Sequence, residues 1–156
     1  MKQSVLGLYY EDFEVGAEIK HELSKTILES DNNFFCLLTM NHHPVHLNQD
    51  YASKNQHGKI LVVGTLVFSL AVGMTVPDIS GKAVANLDYE FIKHLNPVFV
   101  GDTLYVRTKI LDKRESHSKP DRGIVYVESI ASNQNGVDVL SFRRHVLIKK
   151  RDIKTI

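Results

Sequence analysis

The sequence predicts an α+β fold in which a curved antiparallel sheet wraps around a long apolar central helix. Residues 60–76 carry no charged side chain, and a helix that is apolar on every side belongs in a protein interior. Strand-length segments with alternating apolar residues follow this helix. Asn135-Gly136, a pair typical of tight antiparallel turns, joins the last two segments. An antiparallel sheet can pack one of its faces against a helix, so a sheet of these strands can cover the apolar helix.

Residues 17–28 predict an extended strand that follows a turn-rich segment ending at Gly16. Ser30 is the expected N-cap of the next helix, with Asp31 in its first turn, because a short polar side chain there accepts a hydrogen bond from a free backbone N–H. This helix is expected to end near Met40. Its apolar residues recur at the i, i+3 and i+4 spacing of one helix face: Phe34, Leu37 and Leu38.

A polar loop separates this helix from the apolar one. Pro44 disfavours helical backbone at His43, so the loop is predicted to stay extended until Asn48, which caps a short helix. The apolar helix is predicted over residues 60–76 and is followed by a turn that contains Pro77. The loop is therefore expected to be stiff just before the core helix.

Four strand-like segments are predicted after this turn. The first places three apolar residues on one face: Leu87, Tyr89 and Phe91. The others cover residues 104–110, 124–131 and 137–148, and the polar residues 113–122 are predicted to form a mobile hairpin loop. The order of strand, two helical pieces, one long helix and four strands is that of the hot-dog fold. Residues 1–156 are predicted to form one such domain.

Composition and charge exclude several kinds of protein. The formal net charge is +1 and the basic residues form no stripe, so no nucleic-acid partner is expected. Cys36 is the single cysteine, which excludes an intrachain disulfide and indicates a cytoplasmic protein. Residues 60–76 are at the short edge of bilayer-spanning length and include glycine, serine and threonine, so no membrane partner is expected. Residues 1–8 lack the apolar run of a signal peptide.

The loop after the first helix concentrates groups that carbonyl chemistry needs. Asn41 offers an amide that can hold water, and His43 and His46 offer imidazoles, which as a class titrate near neutral pH. A helix start at Val63-Gly64 follows. The free backbone N–H groups of a helix N-terminus can stabilise a developing oxyanion. These residues are the candidate functional site.

Four segments resemble, in order, the MaoC-like dehydratases, which include the (R)-specific enoyl-CoA hydratases. They are residues 10–16, the loop Asn41-x-x-Pro44-x-His46-x-Asn48, the helix start Val63-Gly64, and residues 96–104. The resemblance covers nearly the whole chain and implies a hot-dog fold. It also implies a homodimer or higher homo-oligomer with active sites near the subunit interface. The implied reaction is reversible addition of water across the double bond of an enoyl thioester, with no cofactor other than the coenzyme A carried by the substrate.

Two loop positions depart from the family pattern. The hydratase loop has Asp where this chain has Asn41, and Asn where it has His43. An amide cannot accept a proton as a general base. Residues 38–46 and 76–80 nevertheless resemble a subgroup that includes mesaconyl-CoA hydratases, also called β-methylmalyl-CoA dehydratases. This subgroup resemblance implies that the amide is the normal residue there and that the acyl group is short, branched or dicarboxylic.

The resemblance assigns a role to each residue. His46 is the expected general base, which takes a proton from water as it attacks the β-carbon, while Asn41 orients that water. The Gly64 N–H is expected to meet the negative charge on the thioester oxygen, since a glycine lets the thioester approach the backbone. Val63 and His43 are assigned to substrate binding. The α-carbon proton comes from His46 or from a water held by His43.

Each of these residues also allows a structural role. His46 would serve as a loop histidine that bonds the backbone, and Asn41 would cap its helix in the left-handed conformation. A metal site built from His42, His43 and His46 is not expected, because adjacent residues of an extended loop point to opposite faces and no acidic residue lies beside them. Cys36 is expected to be a buried, inert thiol.

Three functions therefore stay open from the sequence. The first is an acyl-CoA hydratase or dehydratase. The second is a hot-dog thioesterase, which needs a carboxylate or equivalent base aimed at the carbonyl, and Asn41 does not supply one. The third is a non-catalytic acyl-thioester binding module, which would require His46 to be dispensable. Release of free coenzyme A, or binding without turnover, distinguishes the last two from the first.

Overall fold

The computed structural model describes residues 6–152, so residues 1–5 of the segment considered as a signal peptide lie outside it. The helices are α1 Glu29–Thr39, α2 Pro44–Leu47, α3 Gln49–Ser53 and α4 Gly64–Thr75. A 3-10 turn, Tyr10–Asp12, precedes them, and a π-helical turn, Val76–Ser80, continues α4. The strands are β1 Glu18–Thr26, β2 Ala83–Asn86, β3 Glu90–His94, β4 Thr103–Glu115, β5 Arg122–Ser132 and β6 Asp138–Lys149.

The strands form one antiparallel sheet in the order β1-β4-β5-β6-β2, and β3 also pairs with β6. The predicted segments at residues 104–110, 124–131 and 137–148 are confirmed as β4, β5 and β6. The predicted loop over residues 113–122 is shorter than expected, because residues 113–115 still pair with β5. A tight turn with Gly136 at a φ of 73° joins β5 and β6, as its sequence predicts.

The first predicted segment after the core helix is divided into β2 and β3, which follow one another along β6. The pairing shifts register between Glu90 and Lys93, and Phe91 adopts a φ of 50°. Because an extra residue in a strand reverses the faces of the residues that follow it, the predicted alternation does not continue through this edge. Tyr89 and Phe91 are exposed in the isolated chain.

Helix α4 packs on the strands β1, β4 and β5 and supplies much of the main core. Its buried residues are Leu66, Val67, Ala71, Met74 and Thr75. The predicted start at residue 60 is wrong, because residues 60–63 are extended: the Val62 N–H donates to the Val98 carbonyl oxygen over 2.9 Å, and Leu61 forms a β-bridge with Phe99. The helix is thus 12 residues long and begins at the predicted glycine. Within residues 6–152, no helix has the length and apolarity needed to span a membrane.

Helix α1 turns a different face to the core than its periodicity predicts. Its buried residues are Asn32 and Cys36, whereas the predicted apolar stripe is exposed: Phe34, Leu37 and Leu38. Periodicity identifies a helix face, but not which surface of the fold covers it. The predicted cap at Ser30 is also wrong, because Leu28 is the N-cap and Asp31 Oδ2 accepts from its N–H over 2.8 Å.

One buried cation ties β6 to the end of α4. Arg144 is 2% exposed and donates to Thr75 Oγ1 over 2.8 Å and to Asn86 Oδ1 over 3.1 Å. Burial lowers the pKa of the Arg144 guanidinium, since desolvation penalises its charged form. These bonds fix the turn that closes α4 against the sheet.

Candidate functional site

The loop that carries the candidate residues begins at a left-handed residue. Helix α1 ends at Thr39, Met40 adopts a φ of 62°, and the Asn41 N–H donates to the Cys36 carbonyl oxygen over 3.0 Å. The left-handed position is therefore Met40, and the alternative that placed Asn41 there is wrong. Asn41 Oδ1 lies 3.4 Å from the His43 N–H, which is a long hydrogen bond. The half-buried Asn41 side chain is left with little local bonding.

The loop does not stay extended up to Asn48, because Pro44–Leu47 form the short helix α2. Proline is favourable at the first position of a helix, where its missing N–H costs nothing. His43 precedes Pro44, and its Nδ1 accepts a hydrogen bond from the Val45 N–H over 3.1 Å. The capping role of Asn48 is confirmed by its Oδ1, which accepts from the Tyr51 N–H over 2.9 Å.

His46 is held by a backbone carbonyl. Its Nδ1 lies 2.6 Å from the Leu61 carbonyl oxygen, and since a carbonyl only accepts, Nδ1 carries the proton of this bond. In the neutral ring the remaining nitrogen, Nε2, then has a free lone pair. The half-buried ring is therefore held in one orientation, in which Nε2 is able to act as a base.

Asn32 joins this loop to the start of α4, a role that the sequence reasoning missed. It is 2% exposed, its Nδ2 donates to the His46 carbonyl oxygen over 3.1 Å, and its Oδ1 accepts from the Val63 N–H over 3.0 Å. A buried amide usually has partners for both of its ends. The sequence did carry a signal for its burial, because Asn32 lies four residues before Cys36 and therefore on the same helix face.

The N-terminus of α4 presents free backbone donors. The Val63 N–H is bound by Asn32, and the Leu66 and Val67 N–H groups both donate to the Val63 carbonyl oxygen. Among the hydrogen bonds of residues 6–152, the Gly64 and Thr65 N–H groups have no acceptor. The Val63 side chain is buried in the core. The helix dipole adds partial positive charge at this point, so the Gly64 N–H can stabilise an anionic oxygen.

An open groove with a volume of about 450 Å³ starts at Gly64. Its wall is mostly apolar and includes His57, Leu61, Gly64, Val67, His94 and Val139. Asn41, His43 and His46 are not among the residues that line the groove. Leu61 connects their loop to the groove, because it lines the groove and its carbonyl oxygen is bonded to His46 Nδ1. The candidate site thus combines the base His46, which is bonded to Leu61, with an apolar groove that Leu61 also lines.

Within residues 6–152, one group of side chains has the spacing of a metal site: Asp88, Glu90 and His145. These groups are already bonded within the protein, since His145 Nδ1 lies 2.8 Å from Asp88 Oδ2 and the Tyr126 hydroxyl donates to Glu90 Oε2. These three residues are not among those that line the groove. Cys36 is buried, and burial raises the pKa of its thiol, which favours the inert form.

Comparisons with known proteins show the family and the fold of this chain. The family model described as "MaoC like domain" matches residues 12–133. A mesaconyl-CoA hydratase from Cereibacter sphaeroides is 34% identical over 94% of this chain and 42% of its own length. A MaoC domain protein dehydratase from Chloroflexus aurantiacus superposes with a TM-score of 0.92 at 32% identity, over 97% of this chain and 43% of that one.

A third similarity concerns the fold alone. A Mycobacterium tuberculosis protein with a double hot-dog fold superposes with a TM-score of 0.86 at 22% identity, over 94% of this chain and 46% of that protein. The predicted α+β hot-dog fold is therefore confirmed. The chain spans less than half the length of the mesaconyl-CoA hydratase and of the Chloroflexus aurantiacus protein that it matches.

Proposed function

The chain belongs to the MaoC-like domain family, and from this premise we propose that it is a hydratase or dehydratase of enoyl-CoA thioesters. The observation that carries the proposal is the 2.6 Å hydrogen bond between His46 Nδ1 and the Leu61 carbonyl oxygen. This bond leaves Nε2 free as a base, and it is made to Leu61, which lies three residues before Gly64 in the chain.

In the hydration direction, His46 Nε2 takes a proton from water as the water oxygen attacks the β-carbon. The electron pair of the double bond moves toward the thioester, and the thioester oxygen gains negative charge. The Gly64 N–H donates to that oxygen. The protonated His46 then delivers its proton to the α-carbon, directly or through a water held by His43, which regenerates the base and completes the addition. The reverse sequence removes water. Asn41 keeps its expected role of orienting the water.

A short branched or dicarboxylic acyl group is the proposed substrate class. The support for this class is the 34% identity to a mesaconyl-CoA hydratase. The mostly apolar groove of about 450 Å³ that Gly64 lines fits the hydrocarbon part of the acyl group. No cofactor is proposed, because coenzyme A enters as part of the substrate. The buried single Cys36 supports a cytoplasmic location.

A homodimer or higher homo-oligomer is proposed as the assembly, without nucleic-acid or membrane partners. Two exposed apolar patches of this chain support it, since contiguous apolar surface often marks an interface. The first patch lies on α1 and the residue that follows it: Phe34, Leu37, Leu38 and Met40. The second lies along the β2–β3 edge: Leu87, Tyr89, Phe91 and Ile92.

The test of the function is turnover by the purified protein. Short enoyl-CoA thioesters, including mesaconyl-CoA, are incubated with it, and loss of the conjugated enoyl absorbance is followed together with a thiol assay for free coenzyme A. Loss of absorbance without free thiol is the expected result. Free coenzyme A from saturated thioesters would instead support a thioesterase, and saturable binding without either signal would support a binding module.

Asn41→Asp is expected to lower kcat by about tenfold, because the introduced carboxylate competes with His46 for the proton of water. A carboxylate only accepts hydrogen bonds at neutral pH, whereas the amide also donates. The measurement is kcat for mesaconyl-CoA hydration, with Asn48→Asp as the matched control, since Asp also caps helices well. An unchanged or higher kcat for Asn41→Asp would show that the amide has no special value for this reaction.

A further inference from the structure

His94 packs over Gly64 at the N-terminus of α4. A Cβ atom built on Gly64 would lie 2.8 Å from His94 Cε1 and 3.0 Å from His94 Nε2. The ring therefore occupies the space where any larger residue would place its side chain. Both residues line the apolar groove. Within residues 6–152, the His94 ring has no hydrogen-bond partner, so its N–H is available to a ligand in the groove.

The backbone around His94 is anchored to β6. His94 pairs with Leu140 at the end of β3, and the next residue, Leu95, donates its N–H to the Val139 carbonyl oxygen over 2.9 Å. Asn96 Nδ2 donates to the Asp138 carbonyl oxygen over 2.7 Å. Because these bonds hold the strand end, the ring is presented to α4 from a rigid element, as a positioned donor requires.

We propose that His94 is a second hydrogen-bond donor to the thioester oxygen, beside the Gly64 N–H. This inference rests on the proposed function. A carbonyl oxygen has two lone pairs and accepts two donors, and an imidazole ring offers at least one N–H in either protonation state. Donors aimed at the oxygen where charge develops lower the barrier, because they act most strongly in the transition state.

This role differs from that of His46. His46 is oriented by a carbonyl to leave a lone pair free, whereas the His94 ring has no protein acceptor and meets the helix end where the negative oxygen is bound. His94 would thus touch the substrate without exchanging a proton with it. Because it contacts the substrate, His94 is a catalytic residue, and its replacement is expected to lower kcat.

The kinetic test compares His94→Leu with His94→Gln. Leu removes the donor and keeps an apolar side chain, whereas Gln keeps an N–H donor. His94→Leu is expected to lower kcat for enoyl-CoA hydration by about 100-fold with little change in KM. The kcat of His94→Gln is expected to be at least about tenfold higher than that of His94→Leu. His117→Leu is the control, because His117 is exposed in the loop between β4 and β5. A His94→Leu kcat within twofold of the wild type would overturn the inference.

A spectroscopic test separates this inference from the proposed function. Hydrogen bonds to the oxygen of a conjugated thioester shift its absorbance to longer wavelength when it binds. His46→Ala is expected to bind enoyl-CoA without consuming it and to show the shift, and His46→Ala/His94→Leu to show a smaller one. An equal shift in both proteins would overturn the role of His94. A wild-type protein that does not hydrate the substrate would overturn the function, while its bound spectrum would still report on His94.

Discussion

Replacement of His46 by alanine is expected to lower kcat for enoyl-CoA hydration by about 1,000-fold, because general-base catalysis typically contributes 10²–10⁴-fold. His46 Nδ1 is bonded to the Leu61 carbonyl oxygen over 2.6 Å, so Nε2 is the nitrogen left for the proton of water. The measurement is kcat for loss of enoyl absorbance, at saturating mesaconyl-CoA.

The same substitution also removes a structural hydrogen bond. Leaving the Leu61 carbonyl without its donor is expected to cost about 1 kcal/mol of unfolding free energy. His46→Gln separates the two effects, since glutamine offers a donor to the carbonyl but no base. His42→Ala is the matched control, because His42 is exposed on the same loop. Substantial activity in a folded His46→Ala protein would rule out His46 as the base.

Gly64→Ala is expected to lower kcat for hydration by about 100- to 1,000-fold, the loss seen when an oxyanion donor is removed. The added Cβ would lie 2.8 Å from His94 Cε1, so the ring must move. The displaced ring and the added methyl group crowd the backbone N–H at this position, so the thioester oxygen loses access to this donor and to His94 together.

Gly73→Ala provides the control for this prediction in the same helix. A Cβ on Gly73 meets no atom within 4 Å, and alanine is a better helix former than glycine by about 0.5–1 kcal/mol. Gly73→Ala is thus expected to keep its activity and to unfold at a slightly higher temperature. If Gly64→Ala is folded and hydrates enoyl-CoA at the wild-type rate, the thioester oxygen is not bound at this helix end.

Strand patterns were readable from the sequence because they depend on local spacing. In β4, alternate residues from Leu104 to Ile110 are buried, as predicted. The resemblance likewise predicted Asn41, His46 and Gly64 as a set, and the structure joins His46 to the residues just before Gly64 through Leu61 and Asn32. Short motifs carry this information, since each spans only a few residues.

The boundaries of helices and strands were harder to predict from the sequence. Residues 60–63 look like part of an apolar helix, yet the Val62 N–H is bonded to the Val98 carbonyl oxygen and the chain is extended there. A short apolar run fits a buried strand or a buried helix equally well. The partner that decides between them lies 36 residues away (98 minus 62).

The sequence by itself determined the fold class, the order of strands around one apolar helix, and the loop and glycine of the candidate site. Only the tertiary structure decided which face of α1 is buried, that Asn32 holds the loop to α4, and that His94 lies over Gly64. The physical reason is the range of the interactions. Periodicity and turn preferences act between neighbours in the chain, whereas these contacts form between residues that only the folded sheet and helices bring together.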